Sequence, residues 1–537
     1  MGNPQGDYEN QKALIAALRD PARYPHAVKS AQLIETHISW VLLAGRYAYK
    51  IKKALNLGFL DYSGLEARRI CCAEEVRLNR RTAPTIYIDT VAIGGSPANP
   101  RFGAQPAIEY AVRMHRFASA NLMDRMLLRG KVTPRHIDAL AASIVGFHAG
   151  LPAAGAETEF GTAASALAAA MQNLEQLRLR LTEDADRECV AALDAATEAE
   201  FATCKSAIET RRERGFVREC HGDFHLGNIV LIADQPVAFD GIEFNPALRW
   251  IDVTSEVAFA VMDLLHRDHP EFAWRLLNAW LEHGGDYGGM AVLRFYLAYR
   301  ATVRAKVSAI RAGQAGLSRR AKADELAACR SYLGLARQCL QQRSPALIIT
   351  HGLPGSGKTT FSQFALQQLG AIRIRSDVER KRLFGLGTLQ SSRVHAGDIY
   401  SAEATQRTYA RLHELAREIL AAGFTVIVDA AFLRQDEREA FRELAKSLSV
   451  PFAIASLQAA DATLRERIRQ RKNDASEADV GVLDMLMAVQ QPLSAQELEC
   501  AAGFTTTQAP DSKANSRAWS KLCALLQRDL PQGAASR

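Results

Sequence analysis

Two glycine-bearing motifs, set about a domain apart, constrain this chain more than anything else in it. The first is His221-Gly222-Asp223-Phe224-His225-Leu226-Gly227-Asn228, and the second is Gly352-Leu353-Pro354-Gly355-Ser356-Gly357-Lys358-Thr359. Each is a pattern suited to handling phosphate, and one fold does not need both. Their coexistence predicts two folds in one polypeptide, each with its own phosphate site.

The length agrees. At roughly 100–200 residues per domain, 537 residues imply about three to four structural units. A hydrophobic content of 48% and a charged content of 23% are ordinary for a soluble globular protein. The net charge of +7 fits polyanionic ligands such as nucleoside triphosphates, but a mildly basic surface is the plainer reading. No Lys/Arg block and no basic stripe interleaved with aromatics points to nucleic acid. The nine cysteines are scattered without a C-x-x-C pair, which argues against a zinc site or a disulfide framework and for reduced thiols. Met1–Asp20 has no apolar signal region, and no run reaches the roughly 18 apolar residues of a membrane span. A cytoplasmic protein is expected.

Along the chain, Val41–Lys53 reads as a hairpin turning at Gly45, followed by a helix over Leu65–Arg81. Ile86–Ile93 reads as a strand that ends at the Gly94-Gly95-Ser96-Pro97 turn, and Ile108–Phe117 as another strand. Leu122–Arg214 is Ala-rich and mainly helical. Strand signal returns at Phe216–Cys220, Ile229–Ile232 and Val237–Phe239, before a helical stretch from Trp250 to about Cys339, broken near Gly284-Gly285. Gln341–Pro345 marks the expected domain boundary. After it, apolar strands at Ala346–Thr350, Ala371–Arg375, Thr425–Val428 and Phe452–Leu457 alternate with amphipathic helices, the rhythm of a parallel sheet covered by helices.

Phosphoryl transfer needs a carboxylate to orient or deprotonate the acceptor, ligands for the metal, and a lysine on the triphosphate. Asp223 followed by Asn228 has the D-x-x-x-x-N spacing of a kinase catalytic loop. A tight loop of that length aims the Asp223 carboxylate at a hydroxyl and the Asn228 carbonyl at Mg²⁺. Asp240 ends the apolar strand PVAFD, where a second metal-binding carboxylate is expected.

HGDFHLGN followed by AFDGIEFN resembles the aminoglycoside phosphotransferase family, and RWIDVTSEVAFAVMDL resembles the family's segment that packs behind the site. The resemblance implies a two-lobed, protein-kinase-like α+β fold, Asp223 as catalytic base, and Asn228 and Asp240 as Mg²⁺ ligands. It also calls for a lysine and a helix glutamate from the small lobe. Ala48-Tyr49-Lys50 matches the A-x-K ending of the relevant strand, so Lys50 is the first choice, with Lys52 on the same strand face as the fallback. Glu75 is the expected partner, with Glu74 second. No G-x-G-x-x-G run precedes Lys50. His225 reads as loop packing, while Glu243 reads equally as a metal neighbour or a surface acid.

The second motif follows the strand ALIIT and opens the helix FSQFALQQL, the context of a P-loop. Gly352, Gly355, Ser356 and Gly357 let backbone N–H groups turn inward around phosphate, and the helix N-terminus at Thr359 and Thr360 adds positive partial charge. Lys358 reaches the β- and γ-phosphates, and the Thr359 hydroxyl binds Mg²⁺. IRSDVERKRLF, TVIVD and LRERIRQRKNDASEADV resemble the small P-loop kinases of the polynucleotide kinase, gluconate kinase and zeta toxin type. The resemblance implies Asp377 as acceptor base, Arg380 as a substrate or phosphate contact, and Asp429 near Mg²⁺ or the acceptor. Arg467 and Arg471, one helical turn apart, would clamp the triphosphate. A solvated basic helix is the plain alternative for either arginine.

The expected architecture is an α+β two-lobed protein-kinase-like domain over residues 1–340 (small lobe about 1–117, helical lobe about 118–340), then an α/β P-loop NTPase domain with a parallel sheet over 344–537. It resembles bacterial proteins that fuse these two parts. The expected activity is transfer of the γ-phosphoryl group of ATP, with Mg²⁺, to a hydroxyl of a small molecule. Two rivals stay open: an N-terminal half that only binds or regulates, and a P-loop half that acts as a switch. A P-loop ATPase driving motion is a further alternative, against which stands the shortness of the segment after the motif.

Overall fold

The computed structural model describes residues 4–56, 60–314, 316–341, 343–387, 390, 399, 401–470 and 476–529. The chain divides into two compact units. The first holds Met1–Thr182, Phe201–Asp263 and Arg300–Lys306, and the second holds Glu183–Glu200, Leu264–Tyr299 and Val307–Arg537. The helical stretch before residue 340, expected to belong whole to the first domain, is therefore shared between the units.

The first unit is α+β. Strands β1 (Ala31–Glu35), β2 (Ser39–Ala44), β3 (Tyr47–Lys52), β4 (Tyr87–Ser96), β5 (Asn99–Phe102) and β6 (Ala107–His115) form a six-stranded antiparallel sheet in the order β1-β2-β3-β6-β4-β5. Alternation along β3 sends Tyr49 and Ile51 into a core with Leu14, Leu18, Trp40 and Leu42. The opposite face carries Ala48, which packs with Cys72 and Val76 of the helix Leu65–Asn79, so Lys50 and Lys52 face that helix. The expected turn at Gly94-Gly95 is instead the end of strand β4, which runs on to Ser96. The reason is close packing: a Cβ at Gly94 would lie 2.5 Å from the Ala104 carbonyl oxygen.

Helices Met123–Leu128, Pro134–Ala149, Ala163–Arg180 and Asp184–Glu213 fill the expected helical stretch. Strands β7 (Val217–Glu219), β8 (Ile229–Ile232), β9 (Gln235–Ala238) and β10 (Trp250–Asp252) follow. β7 pairs with β10 and β8 with β9, both antiparallel. Trp250, expected to open a helix, lies in β10 instead, because that backbone completes a ladder with β7 before the helix Val253–His266 begins. The β8–β9 hairpin sets Asn228 just before it and Asp240 just after it.

The second unit is an α/β P-loop fold. Strands β11 (Leu347–His351), β12 (Ile372–Arg375), β13 (Val426–Asp429), β14 (Phe452–Gln458) and β15 (Ala501–Thr505) form a five-stranded sheet in the order β12-β13-β11-β14-β15, with every pairing parallel. Both faces are covered, as a parallel sheet requires. One core gathers Ile348, Phe361, Leu366, Ile427, Phe504 and Trp519. β15 was not foreseen, since AAGFT carries little strand signal until β14 is there to pair with it.

The edge strand β12 is finished by a helix. Asn278, in the helix Pro270–Gly284, accepts the Arg373 N–H at 2.7 Å and donates to the Ala371 carbonyl at 2.9 Å. One buried amide side chain thus takes the place of a neighbouring strand. This contact draws the helix into the second unit. No helix among the described residues is long and apolar enough to cross a membrane.

Candidate functional sites

In the first unit, the loop between β7 and β8 presents Asp223. Asn228 donates through Nδ2 to Asp223 Oδ2 at 2.8 Å and to its carbonyl at 3.1 Å. The Asn228 side-chain oxygen is left as an acceptor. The loop is pinned from behind. His221 and Gly222 donate their backbone N–H groups to the two oxygens of Glu256, at 2.7 and 2.8 Å. Arg300 donates to the Gly222 carbonyl at 3.1 Å, and Asp263 accepts the Leu226 N–H at 2.9 Å. Sequence reasoning missed Glu256, Arg300 and Asp263, since each lies in an ordinary helix and acts only through the loop's backbone.

His225 does two things. Its Nδ1 accepts the Gly227 N–H at 3.1 Å, and its Nε2 lies 3.5 Å from both Asp223 Oδ2 and Arg304 Nη1. The expectation of pure loop packing is too narrow. Burial pushes the Asp223 carboxyl up, but His225, Arg304 and His221 outweigh it and hold the group well below the usual carboxylate range.

The small-lobe residues converge on the same place. Lys50 donates to Glu75 Oε1 at 2.9 Å and also bonds Asp240 Oδ1. Lys52 donates to Glu75 Oε2 at 2.6 Å and pairs with Glu243, which also takes the Tyr62 hydroxyl. Both lysines therefore share Glu75, which has no exposed surface. Glu74 points elsewhere, to Arg77 and Arg249. Glu243 is not a surface acid but a buried counter-ion of Lys52. Burial works against a charged Lys50, yet Asp240 and Glu75 hold its pKa well above the usual lysine value. The Asp240 N–H bonds Tyr87 Oη at 3.1 Å, which fixes the carboxylate's position.

The donor set suits Mg²⁺. Asp240 and Asn228 offer hard oxygens, and the Lys50 ammonium already rests on Asp240 as a cation would.

In the second unit, the loop Gly352–Gly357 links β11 to the helix Lys358–Leu369. Gly355 has φ +80°, and a Cβ there would lie 2.9 Å from the Leu464 carbonyl oxygen, so only glycine fits. Lys358 Nζ donates to the Gly352 and Leu353 carbonyls at 2.8 and 2.9 Å, folded over the cradle it would fill around phosphate. Thr359 and Thr360 stand in the first turn of the helix. Asp429 ends β13, is buried, and accepts the Ser362 hydroxyl at 2.8 Å through Oδ2. Thr359 and Asp429 are again hard oxygen donors, as Mg²⁺ prefers.

Asp377 is half-buried in the first turn of the helix Ser376–Leu383, directly after β12, and Arg380 is buried on the same helix. Arg467 lies on the helix Asp461–Gln470 and donates to the Gly355 carbonyl at 3.1 Å and to Thr506 Oγ1 at 3.0 Å. It grips the phosphate loop's backbone rather than standing free in solvent. Arg471 lies outside the described residues. Beside the loop is a cavity of about 200 Å³ lined by Gly357, Thr360, Arg467, Phe504, Thr506 and Gln508, among others. Its β15-side wall was not legible from the motif.

The fold and sites define a chain of two parts: an α+β unit built on a six-stranded antiparallel sheet, and an α/β unit with a parallel sheet and a P-loop. Residues 347–493 match the model of an AAA domain. The uncharacterized protein Rv2004c of Mycobacterium tuberculosis is 27% identical over 459 residues, covering 85% of this chain and 89% of that one. Among solved structures, a choline kinase from Cryptosporidium parvum covers 62% of this chain and 95% of its own, at 10% identity and a TM-score of 0.40. A gluconokinase from Sinorhizobium meliloti covers 35% of this chain and 96% of its own, at 18% identity and a TM-score of 0.26.

Proposed function

We propose that this chain is an ATP-dependent phosphotransferase with two nucleotide sites, each moving the γ-phosphoryl group to a hydroxyl of a small molecule. The observation that carries the reading is two clusters drawn from four separate segments, Lys50–Glu75–Asp240 and Asp223–Asn228, with Asn228 and Asp240 at the two ends of the β8–β9 hairpin.

In the first site, Asp223 accepts the acceptor's hydroxyl through Oδ1, because Asn228 and His225 both occupy Oδ2. A carboxylate held so far below its usual range is a weak base. Its main work is to aim the hydroxyl, with the proton passing late, as a loose phosphoryl-transfer transition state allows. Lys50, kept in place by Glu75, moves from Asp240 to the incoming phosphates. Bound Mg²⁺, held by Asn228 and Asp240, would neutralise charge on the phosphate oxygens.

In the second site, the loop's N–H groups and Lys358 take the phosphates, and Thr359 and Asp429 are the residues that would hold Mg²⁺. Asp377 is positioned as acceptor base. Arg467 closes one wall of the adjacent cavity, where a nucleobase fits.

Calorimetric titration with ATP and Mg²⁺ tests the two-site reading. Two nucleotides per chain are expected for the unaltered protein, and one for either Lys358→Ala or Lys50→Ala. Two sites remaining in Lys50→Ala, or a single site in the unaltered protein that only Lys358→Ala removes, contradicts the reading of the first unit.

A further inference from the structure

Asp429 has a cationic neighbour that it cannot avoid. β12 and β13 run parallel with Arg375 directly opposite Asp429 in the ladder, so the two side chains leave the sheet on the same face. Arg375 Nε lies 3.9 Å from Asp429 Oδ2. A second arginine follows the same row: Arg373 Nη1 lies 3.4 Å from Ser362 Oγ, the hydroxyl that donates to Asp429. One guanidinium thus stands beside the Asp429 carboxylate, and a second reaches it through the Ser362 hydroxyl.

Both are held by one residue that lies upstream of the P-loop segment. Glu282, near the end of the helix Pro270–Gly284, accepts Arg375 Nη1 through Oε1 and Arg373 Nη2 through Oε2, each at 2.8 Å. Its side chain is only 11% exposed, and Asn278 of the same helix is bonded to the backbone of β12. Helix and strand therefore move as one, and the carboxylate is fixed where the two forks meet it.

We propose that Glu282 is a positioning residue of the P-loop site: by holding Arg375 and Arg373 it keeps their charge off Asp429 and leaves that carboxylate open to Mg²⁺. This rests on the P-loop unit being a Mg²⁺-nucleotide site. Without Glu282, Arg375 needs to move only a short way to pair with Asp429 and compete with the metal.

The test is the Mg²⁺ dependence of ATP affinity, measured by calorimetry on the full chain. Each protein is compared with its own Lys358→Ala counterpart, so that only the P-loop site is read. Glu282→Gln is expected to raise the Mg²⁺ concentration that gives half the gain in ATP affinity by about tenfold, the scale of one uncompensated neighbouring charge. Metal-free ATP affinity is expected to stay unchanged. Adding Arg375→Gln is expected to restore the original Mg²⁺ dependence. A clamp with a merely structural role would weaken metal-free and metal-assisted binding alike, and the second substitution would not repair it.

An unchanged Mg²⁺ dependence in Glu282→Gln, or no recovery in the double variant, overturns the proposal. Should Glu282→Gln not fold, Glu282→Asp, whose shorter side chain loosens the grip on Arg375, decides: a higher Mg²⁺ requirement that Arg375→Gln reverses supports the competition, and an unchanged one overturns it. If the unaltered protein shows no Lys358-dependent ATP binding, the P-loop reading falls first and the role of Glu282 with it.

Discussion

Asn228 donates through Nδ2 to Asp223 Oδ2 at 2.8 Å, across the five-residue step that separates them in the chain. The bond commits one carboxylate oxygen and leaves the other for the proposed acceptor. Asn228→Ala removes both this bond and the proposed metal ligand. Label transfer at the first site is expected to fall by about 10²-fold or more, while transfer at the P-loop site is unchanged. Equal loss at both sites would contradict the division of labour.

Lys50 and Lys52 share Glu75 but sit in different surroundings. Lys52 is fully buried between Glu75 and Glu243, whereas Lys50 reaches Asp240, whose side chain is 43% exposed. Lys52→Met removes the ammonium that buried Glu75 and Glu243 share, leaving Glu243 without its ion-pair partner, and is expected to cost about 3 kcal/mol of stability. Lys50→Met is expected to lower nucleotide affinity with a smaller loss of stability. Thermal melts and ATP titrations of the two variants separate the roles.

His351 ends β11 immediately before the phosphate loop, with Nδ1 3.1 Å from Ser456 Oγ. Burial, with Arg438 and Lys358 nearby, pushes its imidazole down from 6.5 to about 4. As pH falls, the unfolded chain takes up this proton first. The stabilisation from a neutral His351 is whole above about pH 6.5 and is lost progressively down to about pH 4, roughly 3 kcal/mol in all. Melting of the second unit across that window, compared with His351→Gln, is expected to show the slope only in the unaltered protein.

Asn278 substitutes for a strand at the edge of β12. Asn278→Leu leaves the Arg373 N–H and the Ala371 carbonyl buried without those partners. A loss of about 2–4 kcal/mol is expected, read by denaturant unfolding of the second unit. A change within experimental error would show that the helix contributes little to that sheet.

The two motifs and the elements that carry them were legible because their chemistry is local in sequence. Asp223 and Asn228 share one loop, Lys358 and Thr359 share another, and β11 to β14 announce themselves as short apolar runs. Lys50 and Glu75 were legible at one remove, from the A-x-K strand ending and the helix that follows it. What was not legible acts across long separations. Glu256 bonds backbone groups some thirty residues away, and Glu282 reaches arginines of a strand in a different stretch of chain. Neither leaves a pattern in its own helix, so periodicity carries no sign of it. The unit boundary was blurred for the same reason: Asn278 ties a helix from before residue 340 to β12.

Transfer of γ-labelled phosphate from ATP to a metabolite pool, with Mg²⁺, tests the central claim most directly. The proteins are the unaltered chain, Asp223→Asn and Lys358→Ala. Two labelled products are expected from the unaltered chain, with each substitution abolishing one and sparing the other. Label passing only to water in all three, or a product pattern that Asp223→Asn leaves untouched, would contradict two phosphotransferase sites in one chain.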